Sequence, residues 1–353
     1  MLMPIPHVAR AHEIVDTSVL NETLLRLAEE PEAKARPAIV AHLKQVLAEG
    51  RAVVERRFME SKRGGGGKVM VANTYLMDSL IQAIYRAATE KIYPIHNPTS
   101  SEHISIVAVG GYGRGELAPF SDIDLLFLLP YKRAASTERV IEFLLYTLWD
   151  LGLKVGHATR SVEDTVRQAK ADTTIRTTLL ETRVICGHLG LFQNLRQRFQ
   201  NKILSGSPLE FVDAKLDERE QRHLRMGDSR YVLEPNVKEG KGGLRDLHSL
   251  FWIAKYLFRV DTLDELIDAG VLQSAEAARF HRAQNFLWTV RSHLHYLTGR
   301  ADERLTFDVQ AEIGRRMGYT DHAGARGVER FMKHYFLVAK DVGDLTRIFI
   351  AAL

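Results

Sequence analysis

The stretch VAVGGYGRGELAPFSDIDLLFLLP, residues 107–130, decides the fold. An apolar run leads into a glycine-rich segment, and a second apolar run leaves it, which predicts two strands joined by a turn. The second strand carries Asp122 and Asp124. Because successive side chains of a strand point to opposite faces, both carboxylates share one face, with Cα atoms about 6.5–7 Å apart.

This pair of aspartates indicates a metal site. Two carboxylates held together repel each other, and the repulsion raises the pKa of one of them unless a cation lies between them. Mg²⁺ prefers a few carboxylates together with substrate phosphate oxygens. We therefore predict that Asp122 and Asp124 are catalytic metal ligands in a site for a nucleoside triphosphate.

The glycine segment between the strands supplies the second half of this predicted site. Gly110 and Gly111 allow a sharp turn and a close approach to a ligand, and free backbone N–H groups there would bind phosphates. Arg114 could add a charge-assisted contact, and Ser121 could donate its hydroxyl. A dinucleotide-binding fingerprint is excluded, because Glu116 stands at its third glycine and a strand follows.

The remainder of the chain reads as mainly helical. ISIVAV, DIDLLFLL and LKVGHATR are predicted strands, whereas TIRTTLLETRVICGH and later segments repeat apolar residues at helical spacing. The predicted class is α+β, a small mixed sheet flanked by helical regions. The predicted domains are a helical region at 1–95, a sheet domain at 96–172 and a helical domain at 173–353.

SKRGGGGKVM, residues 61–70, is predicted to be a flexible linker. It is not a phosphate-binding P-loop, because Lys62 occupies the first glycine position and Val69 the serine or threonine position.

Composition narrows the class of protein. The chain has 353 residues, a net charge of +4 and a single cysteine, Cys186. An internal disulfide is thus impossible, and no apolar run reaches the roughly 18 residues that cross a bilayer. With no secretory signal at its start, we expect a cytoplasmic protein without a membrane or nucleic-acid partner.

Gly110, Gly111, Asp122 and Asp124 resemble the signature of the nucleotidyltransferase superfamily that includes DNA polymerase β. GGYGRGELAPFSDIDLLFL and LEPNVKEGKGGLRDLHSLFWIAKYLF resemble, more narrowly, the bacterial bifunctional uridylyltransferase/uridylyl-removing enzymes. The resemblance implies a polymerase-β-like fold and a helical uridylyltransferase-associated domain. It implies transfer of UMP from UTP to a tyrosine hydroxyl of the PII nitrogen regulatory protein, with Mg²⁺ or Mn²⁺ and release of pyrophosphate.

The sequence departs from this family pattern in two ways. The third strand lacks the third carboxylate usual in the superfamily, and four residues stay open as substitutes: His157, Asp150, Glu163 and Asp246. No histidine is followed by aspartate, so we expect neither the family's HD phosphohydrolase domain nor its glutamine-sensing ACT domains in this chain.

The second motif, NVKEGKGGLRDLH at residues 236–248, carries Lys238, Lys241 and Arg245 around three glycines and leads into a helix. Helix N-termini attract anions, so we predict that these three residues bind nucleotide phosphates or base. Three alternative functions stay open. They are a related protein adenylyltransferase that uses ATP, an RNA-tailing polymerase, and a catalytically silent nucleotide-binding module.

Overall fold

A computed structural model describes residues 7–61, 64–95, 97, 99–131 and 134–351. The chain divides into two compact units. The sheet unit comprises Met1–Arg56, Met70–Leu117 and Ser121–Ser205, and the helical unit comprises Arg57–Val69, Ala118–Phe120 and Gly206–Leu353. Lys62 and Arg63 of the predicted linker lie outside the described residues.

The first part of the chain holds every strand of the sheet. Its elements are α1 (Thr17–Leu27), α2 (Glu32–Glu60), α3 (Gly66–Ala87), β1 (Ser105–Val109), α4 (Gly110–Gly113), β2 (Ile123–Leu129), α5 (Ala135–Asp150), β3 (Val155–Ser161), α6 (Val162–Ala171), α7 (Thr173–Leu180), β4 (Thr182–Gly187) and α8 (Leu189–Phe199).

The four strands form one mixed sheet in the order β3-β2-β1-β4. β1 pairs antiparallel with both β2 and β4, whereas β2 pairs parallel with β3. The parallel pair is joined through α5, the helical crossover that parallel strands require. This architecture confirms the predicted α+β class with a small mixed sheet.

β4 was missed by the sequence reading. Its residues, TRVICG, belong to a stretch that we interpreted as helical throughout, and that interpretation is wrong beyond Leu180. The strand is β-branched and buried at its end, and it pairs with β1 from Ser105↔Gly187 to Val109↔Thr182. The sheet therefore extends past the predicted domain boundary at residue 172.

β2 sits in the middle of the sheet and is buried along both faces. Every residue of IDLLFLL is buried except Asp124. Helix α5 packs an apolar stripe that includes Val140, Leu144 and Leu148, spaced by one turn. Asp124 is thus the one exposed residue of an otherwise buried strand, and its predicted role as a metal ligand stays a prediction.

The helical unit contains α9 (Pro208–Arg225), α10 (Leu244–Phe258), α11 (Leu263–Asp268), α12 (Ser274–Thr298), α13 (Phe307–Arg316) and α14 (Gly327–Ala351). Their apolar faces enclose one core, which includes Leu247, Leu287, Ile313 and Phe331. Across the described part of the chain, no helix is both long and apolar enough to cross a membrane.

Part of the glycine tract that we predicted to be a flexible linker belongs to a helix instead. Gly66 and Gly67 begin α3, and their N–H groups donate to Thr289 Oγ1 (3.2 Å) and Asn285 Oδ1 (2.9 Å) of α12. A Cβ on Gly66 would lie 2.7 Å from the backbone N of Thr289. Glycine is needed here for close helix packing rather than for mobility.

Candidate active site

Asp122 and Asp124 lie at the beginning of β2, and both are exposed. Ile123 begins the strand, and its N–H donates to the Lys154 carbonyl at 2.9 Å, which fixes where pairing with the third strand starts. Ser121, which is half-buried, directly precedes the pair. Asp122 directly precedes the strand and Asp124 is its second residue, so the predicted common face of the two carboxylates stays a prediction.

Two glycines flank the Asp124 carboxylate. Gly110 begins α4 with φ of 61°, and a Cβ there would lie 3.7 Å from Asp124 Oδ2. Gly156 is the register partner of Asp124 on β3, and a Cβ there would collide with Asp124 Oδ1. A side chain at Gly156 would therefore displace the carboxylate, whereas a Cβ at Gly110 would make an ordinary contact with it.

The glycine segment after β1 is a short helical turn rather than the open loop that we expected. Gly110–Gly113 forms α4, and the Arg114 N–H donates to the Gly110 carbonyl at 3.0 Å. Gly113 faces β4, where a Cβ would overlap the Glu181 carbonyl oxygen. The turn packs directly against the backbone at the beginning of β4, so glycine is required there by contact.

Arg114 is held by carboxylates within the sheet unit. Its Nε donates to Glu116 Oε2 at 2.7 Å, and its Nη1 donates to Glu181. Burial alone would lower the pKa of Arg114, but the two carboxylates outweigh it and raise that pKa. In this arrangement Arg114 fixes the shape of the turn, and its predicted contact with a phosphate stays a prediction.

A second ion pair, between Asp78 and Arg183, also holds the α4 turn. The buried Tyr112 hydroxyl donates to Asp78 Oδ1 at 2.7 Å. Arg183 of β4 donates to both Asp78 oxygens at 2.6 and 3.1 Å and to the Tyr112 carbonyl at 3.3 Å. Burial would lower the pKa of Arg183, but the Asp78 charge outweighs it and raises that pKa. The network ties α3, α4 and β4 together beneath the predicted phosphate site.

The structure removes three of the four open substitutes for a third carboxylate. His157 is the register partner of Leu125, so it lies on the face opposite Asp124, with its ring 5.8 Å from that of Trp149. Asp150 accepts from Arg36 Nη2 at 2.5 Å. Asp246 is fully buried within the helical unit.

Glu163 is exposed in the first turn of α6, and no measured contact connects it to the aspartate pair. Among the residues that the structure describes, no three His, Cys, Asp or Glu side chains form a metal-binding group. Glu163 therefore stays open as a third carboxylate, and water or phosphate could supply further ligands.

The second motif forms a tight loop in which two of the three predicted cations have carboxylate partners. Lys241 Nζ lies 2.7 Å from Asp228 Oδ1. Arg245 Nη2 lies 2.9 Å from Glu239 Oε1. Lys238 makes no ion pair among the described residues, and burial, followed by the nearby Arg291 charge, lowers its pKa.

The N-terminus of α10 is closed to anions, contrary to our expectation. The N–H groups of Leu244 and Arg245 donate to the carbonyls of Val237 and Lys238 at 3.1 and 2.8 Å. These first-turn donors are consumed inside the loop, so they do not point outward. A role for this motif in binding nucleotide would depend on its side chains alone, and it stays a prediction.

Asp246 explains why the loop is rigid. Its buried carboxylate accepts from the Gly242 N–H at 2.8 Å and lies 2.8 Å from His223 Nε2. Arg222 donates to it as well. Burial would raise the pKa of Asp246, but these partners outweigh it and lower that pKa. The aspartate of the GGLRD segment is thus a structural anchor.

Sequence reasoning missed Gly156, Asp78 and Arg183. A glycine inside a predicted strand is a signal of close backbone or side-chain approach, and it could have identified Gly156. An acidic residue within the apolar helix NTYLMDSLIQAIY should have required a buried partner. The identity of that partner, 105 residues away, has no local signal.

Comparison with known proteins identifies the class first. A family model described as nucleotidyltransferase domain matches residues 98–185. This range contains β1, β2, β3 and all but the last two residues of β4. These residues therefore form a nucleotidyltransferase domain, in agreement with the resemblance drawn from the glycine and aspartate motif. A second model, described as GlnD PII-uridylyltransferase, matches residues 210–350.

Two curated relatives are similar to most of this chain. Both are named bifunctional uridylyltransferase/uridylyl-removing enzyme: one from Azospirillum brasilense is 62% identical over 91% of this chain, and one from Rhodospirillum rubrum is 54% identical over 99%. The chain is similar to the N-terminal portion of these enzymes. It spans 34% and 38% of their lengths, about a third of each.

Proposed function

We propose that this chain transfers UMP from UTP to a tyrosine hydroxyl of the PII nitrogen regulatory protein and releases pyrophosphate. The observation that carries the proposal is the exposed aspartate pair at the beginning of β2, with Gly156 leaving room for the Asp124 carboxylate. The uridylyltransferase names of two relatives at 54–62% identity support UTP as donor, and the description of the family model over residues 210–350 supports PII as acceptor.

The aspartates fit a divalent cation by their chemistry. Asp122 and Asp124 offer exposed carboxylate oxygens, the hard ligands that Mg²⁺ and Mn²⁺ accept. When bound, such an ion would neutralise phosphate charge and lower the pKa of the acceptor hydroxyl, which is about 10 for a free tyrosine.

The chain's own residues have separate tasks in this proposal. Asp122 and Asp124 hold the cation, and the glycine turn allows the triphosphate to approach the backbone closely. Arg114 and the Asp78–Arg183 pair keep that turn in one shape, because each of them is bonded to α4 or to its flanks. Preorganisation of this kind reduces the entropy lost when substrate is positioned.

The decisive experiment is transfer of label from UTP to purified PII with Mg²⁺ and the purified chain, with ATP in a parallel reaction. We expect label from UTP and none from ATP. Asp122→Asn and Asp124→Asn should each reduce transfer by at least about 100-fold, or about 2.7 kcal/mol of transition-state stabilisation. EDTA should abolish transfer by the unaltered chain.

Glu138→Gln is the matched control, because Glu138 is an exposed acid in the first turn of α5. It should transfer UMP at the unaltered rate. Label from ATP alone would favour an adenylyltransferase, and no label from either nucleotide would favour a silent module. Near-normal turnover by folded Asp124→Asn would refute the metal role. The reaction is expected in the cytoplasm and needs no nucleic acid.

A further inference from the structure

A cationic cavity lies in the helical unit, next to the second glycine motif. It has a volume of about 330 Å³. Ligand cavities are typically about 300–1,000 Å³, so this one suits a small ligand. The basic side chains on its wall are Arg225, Arg230, Lys241 and Arg304, and Glu234 is the acidic one.

The carboxylates at the cavity neutralise only part of the positive charge of its wall. Four cations and one carboxylate leave a net charge of +3, or +2 if Asp228, which pairs with Lys241 at 2.7 Å, is included. Arg225 and Arg230 have no carboxylate partner among the described residues. Glu234 lies 3.5 Å from Arg304 and also accepts from the Phe307 N–H at 3.0 Å, so it is already shared.

Arg230 is held in place although it lacks an acidic partner. Its guanidinium lies against Gly343 of α14, where a Cβ would be 2.6 Å from Arg230 Nε and would collide with the rest of the group. The Nε atom is buried without a hydrogen-bond acceptor. The ring of the next residue, Tyr231, lies 5.7 Å from that of Phe336, also on α14. A guanidinium restrained in this way stabilises an anion more than a mobile surface arginine would, because less conformational freedom is lost on binding.

The floor of the cavity is a rigid backbone pairing. The Val237 N–H donates to the Glu303 carbonyl at 2.8 Å, and the Leu305 N–H donates to the Pro235 carbonyl at 2.9 Å. Asn236 and Arg304 form the bridge between these two segments, and both line the cavity. The cations therefore project from a preformed frame.

We propose that this cavity binds a small anion that carries a phosphate or pyrophosphate group. A monovalent carboxylate would leave much of the wall's charge uncompensated, whereas a phosphate or pyrophosphate matches a charge of +2 to +3. Guanidinium groups bind phosphate oxygens through paired hydrogen bonds, and three of the four cations are arginines. Neither Asp122 nor Asp124 lines this cavity. The proposed binding site does not depend on the proposed transfer reaction.

The test is calorimetric titration of the whole chain with inorganic pyrophosphate in EDTA, so that no divalent cation contributes. We expect saturable binding, weakened at least about tenfold in Arg230→Gln. Gly343→Ala should also weaken it, because the added methyl displaces the guanidinium without removing its charge. Arg315→Gln is the matched control: this arginine is exposed on α13, outside the cavity, and its loss should change the dissociation constant less than about twofold.

Repeating the titration on Asp124→Asn separates this site from the proposed metal site, since binding should be unchanged. A second arm with UTP in EDTA distinguishes the source of the phosphate: UTP binding that is lost in Arg230→Gln indicates a nucleotide, and pyrophosphate binding alone indicates a free anion. If Arg230→Gln does not fold, Arg225→Gln takes its place. Absence of saturable pyrophosphate binding at millimolar concentration, or unaltered binding by both folded variants, would overturn the proposal.

Discussion

Gly156→Ala should inactivate the proposed transferase without weakening its fold. The added Cβ would overlap Asp124 Oδ1, so the carboxylate must move by about 1 Å to reach an ordinary van der Waals distance. Misplacement of a catalytic group by about 1 Å costs on the order of 100-fold in rate. We therefore expect kcat/KM for UMP transfer to fall about 100-fold, equivalent to about 2.7 kcal/mol.

Stability should change in the opposite direction, which separates this effect from unfolding. Alanine is more favourable than glycine inside a strand by roughly 0.5–1 kcal/mol, because glycine loses more conformational freedom on folding. Repositioning the exposed Asp124 side chain is inexpensive, since it has solvent on one side. Urea unfolding should thus give a free energy equal to, or slightly above, that of the unaltered chain.

The assay measures transfer of label from UTP to PII. Thermal or urea unfolding of the same preparations measures their stability. Ala158→Ser is the matched control, because it adds one heavy atom two residues further along the same face of β3, opposite Leu126 instead of Asp124. It should retain full activity. Transfer by Gly156→Ala within about threefold of the unaltered chain would show that the position of Asp124 does not limit the reaction.

Two further predictions concern stability. Asp78→Asn leaves the half-buried Arg183 without its counter-charge, and it should lower the free energy of unfolding by about 2–3 kcal/mol, against about 1 kcal/mol for Tyr112→Phe, which removes one hydrogen bond. Tyr131→Phe, on an exposed tyrosine, is the control in the same urea titrations, and equal effects of all three would contradict the network's role. Burial, followed by the Arg316 charge, lowers the pKa of His293 from 6.5 to about 4. The unfolded chain therefore takes up a proton at a higher pH than the folded chain does, and stability should fall by up to about 3 kcal/mol as the pH drops from 6.5 to 4. His293→Phe should flatten that part of the profile, and an unchanged slope would show that this histidine is not buried neutral.

Local pattern was sufficient for much of the fold. The apolar run in DIDLLFLL predicted β2, and the helical periods of α5 and α10 gave those helices their buried stripes. It failed at β4, where six residues follow a helix directly and become a strand only by pairing with β1. Short apolar runs of that kind fit either state, so tertiary pairing decides between them.

The sequence by itself determined which residues could hold a cation: two carboxylates one residue apart in an apolar strand, after a glycine-rich turn. Only the tertiary structure decided what surrounds them. Gly156 meets Asp124 because a parallel register, set across the α5 crossover, aligns β2 with β3. Asp78 meets Arg183 across 105 residues. A strand's period of two is a local property of the backbone, whereas register and buried charge pairing depend on packing between distant segments.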